Sequence, residues 1–201
     1  MLRVGLTGGL ACGKTYVGET LAGLGCFLVH ADELGHQVLA PGGEAYEAVI
    51  QEFGRDILNG DGRINRTLLA KRVFGSPDRL ARLNALVHPA VALREEALVA
   101  GFAAREPHGI AVVEAAILIE TGSYKRFDRI ILVTCGEEQQ VERAMRREGS
   151  TEEDVRARID RQMPLDEKRK FAHFVIDTSG VKEDTVRQTR AVYEALRRIA
   201  P

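Results

Sequence analysis

The sequence lacks long apolar runs and has no excess of either charge. Its apolar stretches are short and interrupted by charged residues such as Glu114, whereas a helix that crosses a bilayer needs about 20 consecutive apolar residues. The 28 Lys and Arg residues nearly balance the 29 Asp and Glu residues, which gives a formal net charge of −1. We therefore expect neither a membrane protein nor one whose main work is to bind nucleic acid. A local basic site for phosphates stays compatible with this balance.

Cysteine is also scarce in this chain. Only Cys12, Cys26 and Cys135 occur, an odd and scattered set without the pairing of metal-ligand motifs. We therefore expect a reducing, cytoplasmic compartment. The fractions of apolar (45%) and charged (28%) residues are those of an ordinary globular domain, which argues against a disordered chain.

The order of predicted elements indicates a parallel α/β sheet. Residues 2–7 predict a buried strand, residues 14–24 a helix closed by Gly25, and residues 26–30 a second buried strand. Strand, glycine-rich loop, helix and strand together open a βαβ unit. Further strands are predicted at residues 110–113, 129–133 and 174–176.

Two long stretches between the strands predict helices only. From about residue 44 to 105 apolar residues recur at helical spacing, and Ser76-Pro77 is typical of a helix start. The second stretch, from about residue 137 to 170, is called the charged segment below. Residues 150–153 predict a capping box in it. Its apolar faces are thin, so we expect it to be mobile.

Residues 8–15, Gly-Gly-Leu-Ala-Cys-Gly-Lys-Thr, match the P-loop motif G-x-x-x-x-G-K-[ST] without deviation. Glycines let backbone N–H groups curl around a phosphate, and the following helix adds a partial positive charge. The ammonium of Lys14 can contact the outer phosphates, and the hydroxyl of Thr15 can ligate the magnesium ion that bridges them. We predict that a nucleoside triphosphate is bound by Gly8, Gly9, Leu10, Ala11, Cys12, Gly13, Lys14, Thr15 and Tyr16.

Asp32 is the candidate for the chemical step. It directly follows the second predicted strand, and the carboxyl ends of parallel strands flank the ligand crevice. A carboxylate there can accept the proton of an acceptor hydroxyl. The alternative is that Asp32 only caps the helix that contains Leu34 and Val38. A switch GTPase is disfavoured because the sequence has no Asn-Lys-x-Asp motif, and Glu114 after its strand imitates a motor ATPase only in part.

Several segments in this order and spacing resemble the dephospho-coenzyme A kinase family over almost the whole chain. They are residues 4–9 with the P-loop, Ala31-Asp32, residues 62–66 with Leu69-Ala70 and Val73-Phe74, residues 83–89, residues 117–122, residues 140–143 with Arg147, and residues 161–164 with Lys168.

This resemblance implies an activity and an architecture. The family uses ATP and Mg²⁺ to phosphorylate the 3′-hydroxyl of dephospho-coenzyme A, the last step of coenzyme A biosynthesis. The implied fold is a P-loop three-layer sandwich with a five-stranded parallel sheet, a helical acceptor-binding insert and a helical lid. We accordingly expect one domain with a core (about 1–43, 106–136 and 171–201), an insert (about 44–105) and a lid (about 137–170), as a monomer or a weak homo-oligomer.

The resemblance also assigns roles to single residues. Asp32, Lys14 and Arg143 would be catalytic, with Arg143 and Arg147 reaching the triphosphate from the lid; the alternative for both arginines is a solvated helix face. His88, before Pro89 at a predicted helix start, is a candidate for the acceptor pocket, although a lone histidine is more often structural. The implied substrate-binding residues are Thr7, Asp32, Arg66, His88, Leu118 and Glu120.

Four segments depart from the family's usual pattern, one of them residues 172–178 near the end of the chain, where Ala-Asp-x-x-Ile-x-Asn is usual. The chain has His30-Ala31-Asp32 where Asp-Ala-Asp is usual, Cys12 where the loop usually has serine, and Ala115-Ala116 in place of Val-Pro. Cys12 is either a small filler or an oxidation-sensitive thiol near a helix N-terminus. Two alternatives to the family's activity are another nucleoside or nucleotide kinase of the same fold and a P-loop regulator, which would have no use for Asp32.

Overall fold

The computed structural model describes residues 1–73 and 75–201, without the side chain of Glu148; Phe74, quoted above, lies outside the described residues. The strands are β1 (Leu2–Gly8), β2 (Phe27–His30), β3 (Ile110–Glu114), β4 (Arg129–Thr134) and β5 (Phe174–Asp177). The helices are α1 (Lys14–Gly23), α2 (Ala31–Val38), α3 (Tyr46–Phe53), α4 (Arg66–Val73), α5 (Pro77–Arg105), α6 (Glu137–Glu148), α7 (Glu152–Ile159), α8 (Leu165–Arg169) and α9 (Lys182–Ile199).

The described residues form one parallel sheet with the strand order β2-β3-β1-β4-β5, which confirms the predicted five-stranded α/β fold. Strand β1 is central: Leu6 pairs with Glu114 of β3 and with Ile131 of β4. All five residues of β3 are buried, as expected for a strand covered on both faces. Parallel pairing brings the end of β1, and so the loop that follows it, to the same edge as the ends of β2 and β3.

The chain divides into two compact units. The first, Met1–His30 with Gly101–Pro201, contains the sheet. Its apolar core includes Val17 and Leu21 of α1 and Leu196 of α9, packed with residues of β1, β3 and β4. Burial of such side chains is the main favourable term in folding. In the described part of the chain, none of the helices has both the length and the apolar character needed to cross a bilayer.

The second unit, Ala31–Ala100, is helical and has its own core. Among the residues described in this unit, β-type pairing is limited to an isolated antiparallel bridge between Leu58 and Ile64. Leu80 donates its N–H to the carbonyl of Ser76 at 3.0 Å, so helix α5 begins at Pro77 as predicted. The buried residues of this core include Val38, Ala45, Val49, Phe53, Ile57, Ile64, Leu69 and Val73.

Two local predictions were wrong, and one alternative is excluded. Pro89 lies inside α5, so His88 and Pro89 do not mark a helix start; the helix continues because Leu86, Val87 and Ala90 pack against the core. Thr151, not Ser150, caps α7, and its hydroxyl accepts the N–H of Asp154. Asp32 is the second residue of α2, which excludes the alternative that it is the cap preceding the helix.

Candidate active site

The loop between β1 and α1 contains two residues in the left-handed backbone conformation. Ala11 and Gly13 have positive φ angles of 54° and 81°, a conformation that costs least for glycine. A Cβ at Gly8 would lie 2.3 Å from the carbonyl oxygen of Val133, and one at Gly9 would lie 2.2 Å from Nε2 of Gln140. The backbone of β4 therefore excludes a side chain at Gly8, whereas one at Gly9 would have to displace the end of the Gln140 side chain of α6. The motif is thus folded as a tight loop that ends at a helix N-terminus, the arrangement that binds phosphate.

Lys14 and Thr15 open helix α1 and lie beside this loop. The ammonium of Lys14 donates to the carbonyl oxygen of Gly9 at 2.9 Å, so its positive charge lies over the loop. The hydroxyl of Thr15 donates to Oε1 of Glu114 at 2.8 Å. A cation and a hydroxyl–carboxylate pair therefore meet at the same edge of the sheet, where the motif requires contacts to phosphates and to a metal ion.

Glu114 is the site residue that the sequence analysis missed. It ends β3 and is only 8% exposed, and its second carboxylate oxygen lies 2.8 Å from Nδ1 of His30. The strand register explains this, because Glu114 pairs with Leu6 of β1 and with His30 of β2. A buried carboxylate is tolerated when its oxygens are hydrogen-bonded. The available signal was an apolar strand that ends in an acid at the level of the P-loop.

The oxygens of Thr15 and Glu114 are of the kind that Mg²⁺ prefers. Among the described residues, no group of three or more His, Cys, Asp or Glu side chains could hold a metal ion. A magnesium site of one or two protein oxygens, completed by phosphates and water, needs no such group. Thr15 and Glu114, whose oxygens are 2.8 Å apart, fit that kind of site.

Arg143 of α6 is held next to the P-loop through Thr178, which follows β5. Its guanidinium donates to the hydroxyl of Thr178 at 3.1 Å and to its carbonyl at 2.8 Å. The same hydroxyl donates to the carbonyl of Cys12 at 2.9 Å. Arg143 is half-buried, whereas Arg147 lies on the exposed side of α6. The alternative of a solvated helix face therefore does not describe Arg143.

The loop after β3 is tied to helix α8 by a buried lysine. Lys168 is fully buried, and its ammonium lies 2.9 Å from the carbonyl of Ala116 and 2.8 Å from Oε1 of Glu120. The hydroxyl of Thr7 donates to the same carbonyl at 3.1 Å. Leu118 is 4% exposed. Of the predicted substrate-binding residues in the first unit, Thr7 and Leu118 thus lie inside the protein and Glu120 lies in an ion pair.

The remaining predicted site residues belong to the second unit. Asp32 is exposed in the first turn of α2, where the positive end of the helix dipole stabilises a carboxylate. Arg66 opens α4 and is exposed, and His88 lies in α5. Partial burial lowers the pKa of His88 below its usual value, so this imidazole is more readily neutral than a free one.

Comparisons with known proteins agree over nearly the whole chain. A model of the dephospho-CoA kinase family matches residues 2–184. Dephospho-CoA kinase from Aquifex aeolicus is 38% identical over 198 residues, covering 98% of this chain and 99% of that protein. The crystal structure of TT1252 from Thermus thermophilus covers 100% of this chain and 98% of its own, with a TM-score of 0.83 and 30% identity. Dephospho-CoA kinase from Campylobacter jejuni, 24% identical with a TM-score of 0.70, covers 98% of this chain and 97% of its own and supports the fold.

Proposed function

The chain belongs to the dephospho-CoA kinase family, and on this premise we propose that it transfers the γ-phosphoryl group of ATP to the 3′-hydroxyl of dephospho-coenzyme A. The observation that carries the proposal is the complete P-loop, with Lys14 over the loop and Thr15 bonded to Glu114. A different nucleoside kinase or a P-loop regulator is not favoured, because the family model matches residues 2–184.

The charge that develops on the transferred phosphoryl group would be neutralised by two cationic side chains. Lys14 supplies one from the P-loop, and we propose that Arg143 turns from Thr178 to the triphosphate, since its planar guanidinium suits phosphate oxygens. Arg147 would contribute a weaker contact from the exposed side of α6. Thr15 and Glu114 would hold Mg²⁺, which would neutralise part of the negative charge of the triphosphate.

Asp32 is proposed to accept the proton of the acceptor hydroxyl as that oxygen attacks. Two observations support this role: the carboxylate of Asp32 is exposed, and the residue comes directly after β2 in the chain. In this fold class, ligands bind beyond the carboxyl ends of the strands. In the second unit, Arg66 and His88 are the proposed acceptor-binding residues. In the first unit, the proposed substrate-binding residues are the buried Thr7 and Leu118, and Glu120, which is held by Lys168. We place the reaction in the cytoplasm and assign it to a monomer or weak homo-oligomer.

The substrate is tested with a panel of acceptors. The protein is given ATP, Mg²⁺ and either dephospho-coenzyme A, thymidine or adenosine monophosphate, and the phosphorylated position is identified by mass spectrometry and NMR. We expect transfer to the 3′-hydroxyl of dephospho-coenzyme A alone. Transfer to one of the nucleosides or nucleotides instead, or binding of ATP without transfer, would contradict the proposed function.

Lys14→Ala should keep the fold and lose about 100-fold in turnover.

The role of Asp32 is tested by a neighbouring pair of substitutions. Asp32→Asn should lower kcat about 100-fold and leave ATP affinity unchanged, because the amide cannot accept the proton. Glu33→Gln is the matched control, since Glu33 is the next residue, is also exposed and lies in the same helical turn. It should retain the parent kcat. Equal kcat values for both variants would remove Asp32 from the chemical step.

A further inference from the structure

A second cysteine lies against the P-loop. Sγ of Cys135, the residue after β4, is 3.4 Å from Sγ of Cys12, although 123 positions separate them in sequence. Cys12 is fully buried and Cys135 is 6% exposed, and both are free thiols. The two sulfurs are already in contact, and the S–S distance of a disulfide is about 2.05 Å. A movement of a little over 1 Å would therefore join them.

The surroundings of Cys12 favour a thiolate. Cys135 donates its S–H to Cys12, and Nε2 of Gln140 donates to the same sulfur at 2.8 Å. These hydrogen bonds, helped by the charge of Lys14 and opposed by burial, lower the pKa of Cys12 to about 6. The thiolate is the reactive form of cysteine. Cys135 keeps its proton, because its hydrogen bond to Cys12 and, after that, its burial raise its pKa.

The third cysteine provides an internal comparison. Cys26, which precedes β2, is also buried, but burial raises its pKa to about 12, opposed only by the charge of Arg197. Burial alone thus keeps a thiol protonated in this protein. The low pKa of Cys12 comes from the donors that surround it and not from its being buried.

We propose that Cys12 and Cys135 form a reversible disulfide that inactivates the P-loop, with hydrogen peroxide as the oxidant. The Cys12 thiolate attacks one peroxide oxygen; the S–O bond forms as the O–O bond breaks, and the sulfur becomes a sulfenic acid while hydroxide leaves. That hydroxide takes up the proton that Cys12 lost on ionising and becomes water. Cys135 then attacks the Cys12 sulfur, the S–S bond forms as the S–O bond breaks, and the leaving hydroxide takes the proton of Cys135 as a second water. Two thiols and one hydrogen peroxide thus give one disulfide and two molecules of water.

The disulfide would act on the groups that hold the triphosphate. Cys12 lies between Ala11 and Gly13, whose positive φ angles shape the loop, and its carbonyl accepts the hydroxyl of Thr178, to which Arg143 is bonded. Drawing its sulfur toward β4 shifts this backbone and Thr178 together. Phosphate-binding groups tolerate little displacement, since an error of about 1 Å can lower a rate about 100-fold.

Bound ATP would oppose the reaction. Its phosphates place negative charge on the same loop, which disfavours the Cys12 thiolate, and they hold the loop closed over a sulfur that peroxide must reach. Ala11 and Gly13, which flank the buried Cys12, are only half-buried, so the proposal requires a local opening of the loop in the free protein. Bound ATP should therefore slow oxidation, and oxidation should weaken ATP binding.

The test measures the disulfide directly, because a loss of activity alone rests on the proposed function. The full chain is treated with equimolar hydrogen peroxide, with or without ATP, then alkylated and digested with trypsin. Cys12, Cys26 and Cys135 fall on separate peptides, residues 4–14, 15–55 and 130–143. We expect peptide 4–14 joined to 130–143, less of it with ATP, and turnover lowered about 100-fold and restored by dithiothreitol.

Two variants separate the disulfide from general oxidation. Cys135→Ser should retain the parent turnover before oxidation, and after peroxide its Cys12 should accumulate as the sulfenic acid, which dimedone labels. Cys26→Ser is the control and should behave as the parent. The proposal is overturned if the 4–14 and 130–143 peptides are not joined, if they are joined without loss of ATP binding, or if Cys26 is oxidised as fast as Cys12. ATP binding is followed by fluorescence with a labelled analogue, so the result does not depend on the acceptor.

Discussion

Helices α7 and α8 belong to the same charged segment, but they are held in place in different ways. In α7, Arg156 pairs with Glu137, Glu138 and Glu152 at 2.9–3.0 Å on the protein surface. In α8, Lys168 is fully buried between a carbonyl and Glu120. The sequences of the two helices are about equally charged, so composition does not distinguish them.

The difference shows which charges hold the segment to the protein. Exposed ion pairs contribute little to stability, because water and salt screen them. A buried ammonium has lost its hydration, and it is strongly destabilising when its partners are removed. Helix α7 is instead attached by apolar contacts, since Val155 packs with Leu10 of the P-loop and with Val141. We therefore expect mobility at the surface of α7 but not around Lys168.

The largest effect is expected for Lys168→Met. Methionine fills a similar volume but removes the ammonium that neutralises the carboxylate of Glu120, which then keeps only the N–H of Met163. The carbonyl of Ala116 keeps only the hydroxyl of Thr7. We expect a loss of about 3 kcal/mol in the free energy of unfolding, measured by urea denaturation. Arg156→Met makes the same change of charge in α7 and should leave the urea midpoint almost unchanged. Equal losses in the two variants would abolish the distinction between the helices.

An intermediate effect is expected in hydrogen exchange. Because α7 is held by Val155 and surface ion pairs, whereas α8 is held by the fully buried Lys168, the amides of α7 should exchange faster than those of α8 in the free protein. Binding of ATP with dephospho-coenzyme A should slow exchange mainly in α6 and α7, if this part closes over the nucleotide to exclude water. Mass spectrometry of peptides from residues 137–170 measures this. Unchanged exchange under saturating ligands would remove the lid and the proposed role of Arg147.

The smallest effect is expected from salt. Raising NaCl from 0.05 to about 1 M shortens the Debye length to about 3 Å, which should weaken the Arg156 pairs and speed exchange in α7. The ammonium of Lys168 is fully buried, although the side chain of Glu120 is 21% exposed, so this pair should respond far less than the Arg156 pairs. The Arg156→Met variant should lose the response of α7 to salt. A salt-dependent change in α8 of the parent protein would show that water reaches Lys168.

The sequence predicted the elements of the fold better than the contacts of the site. Buried parallel strands such as β3 appear as continuous apolar runs, and the P-loop is local in sequence, so both were predictable. Glu114 and Lys168 were not assigned their contacts, because one acid after a strand and one lysine among many charges are ambiguous. Their roles depend on strand register and burial, which arise from partners about 50 to 100 positions away.

Pro89 shows a second reason for failure. A proline usually marks a helix start because it removes a backbone donor and clashes with the preceding turn. Here it lies within a helix of 29 residues, and apolar side chains on both sides of it pack against the core of the second unit. Tertiary packing thus outweighs a local preference, and no local pattern reports that packing.

The strand order has a consequence for how the chain folds as it is synthesised. Of the five strands, β1 and β2 are synthesised first. They do not pair with each other, because β3, which begins at Ile110, lies between them in the sheet. The nascent chain therefore carries two unpaired apolar strands while about 80 further residues are made. During this interval only the segment Ala31–Ala100, which has a core of its own, can fold. The sheet is then completed late, when β4 and β5 have left the ribosome and have paired with β1 and with each other.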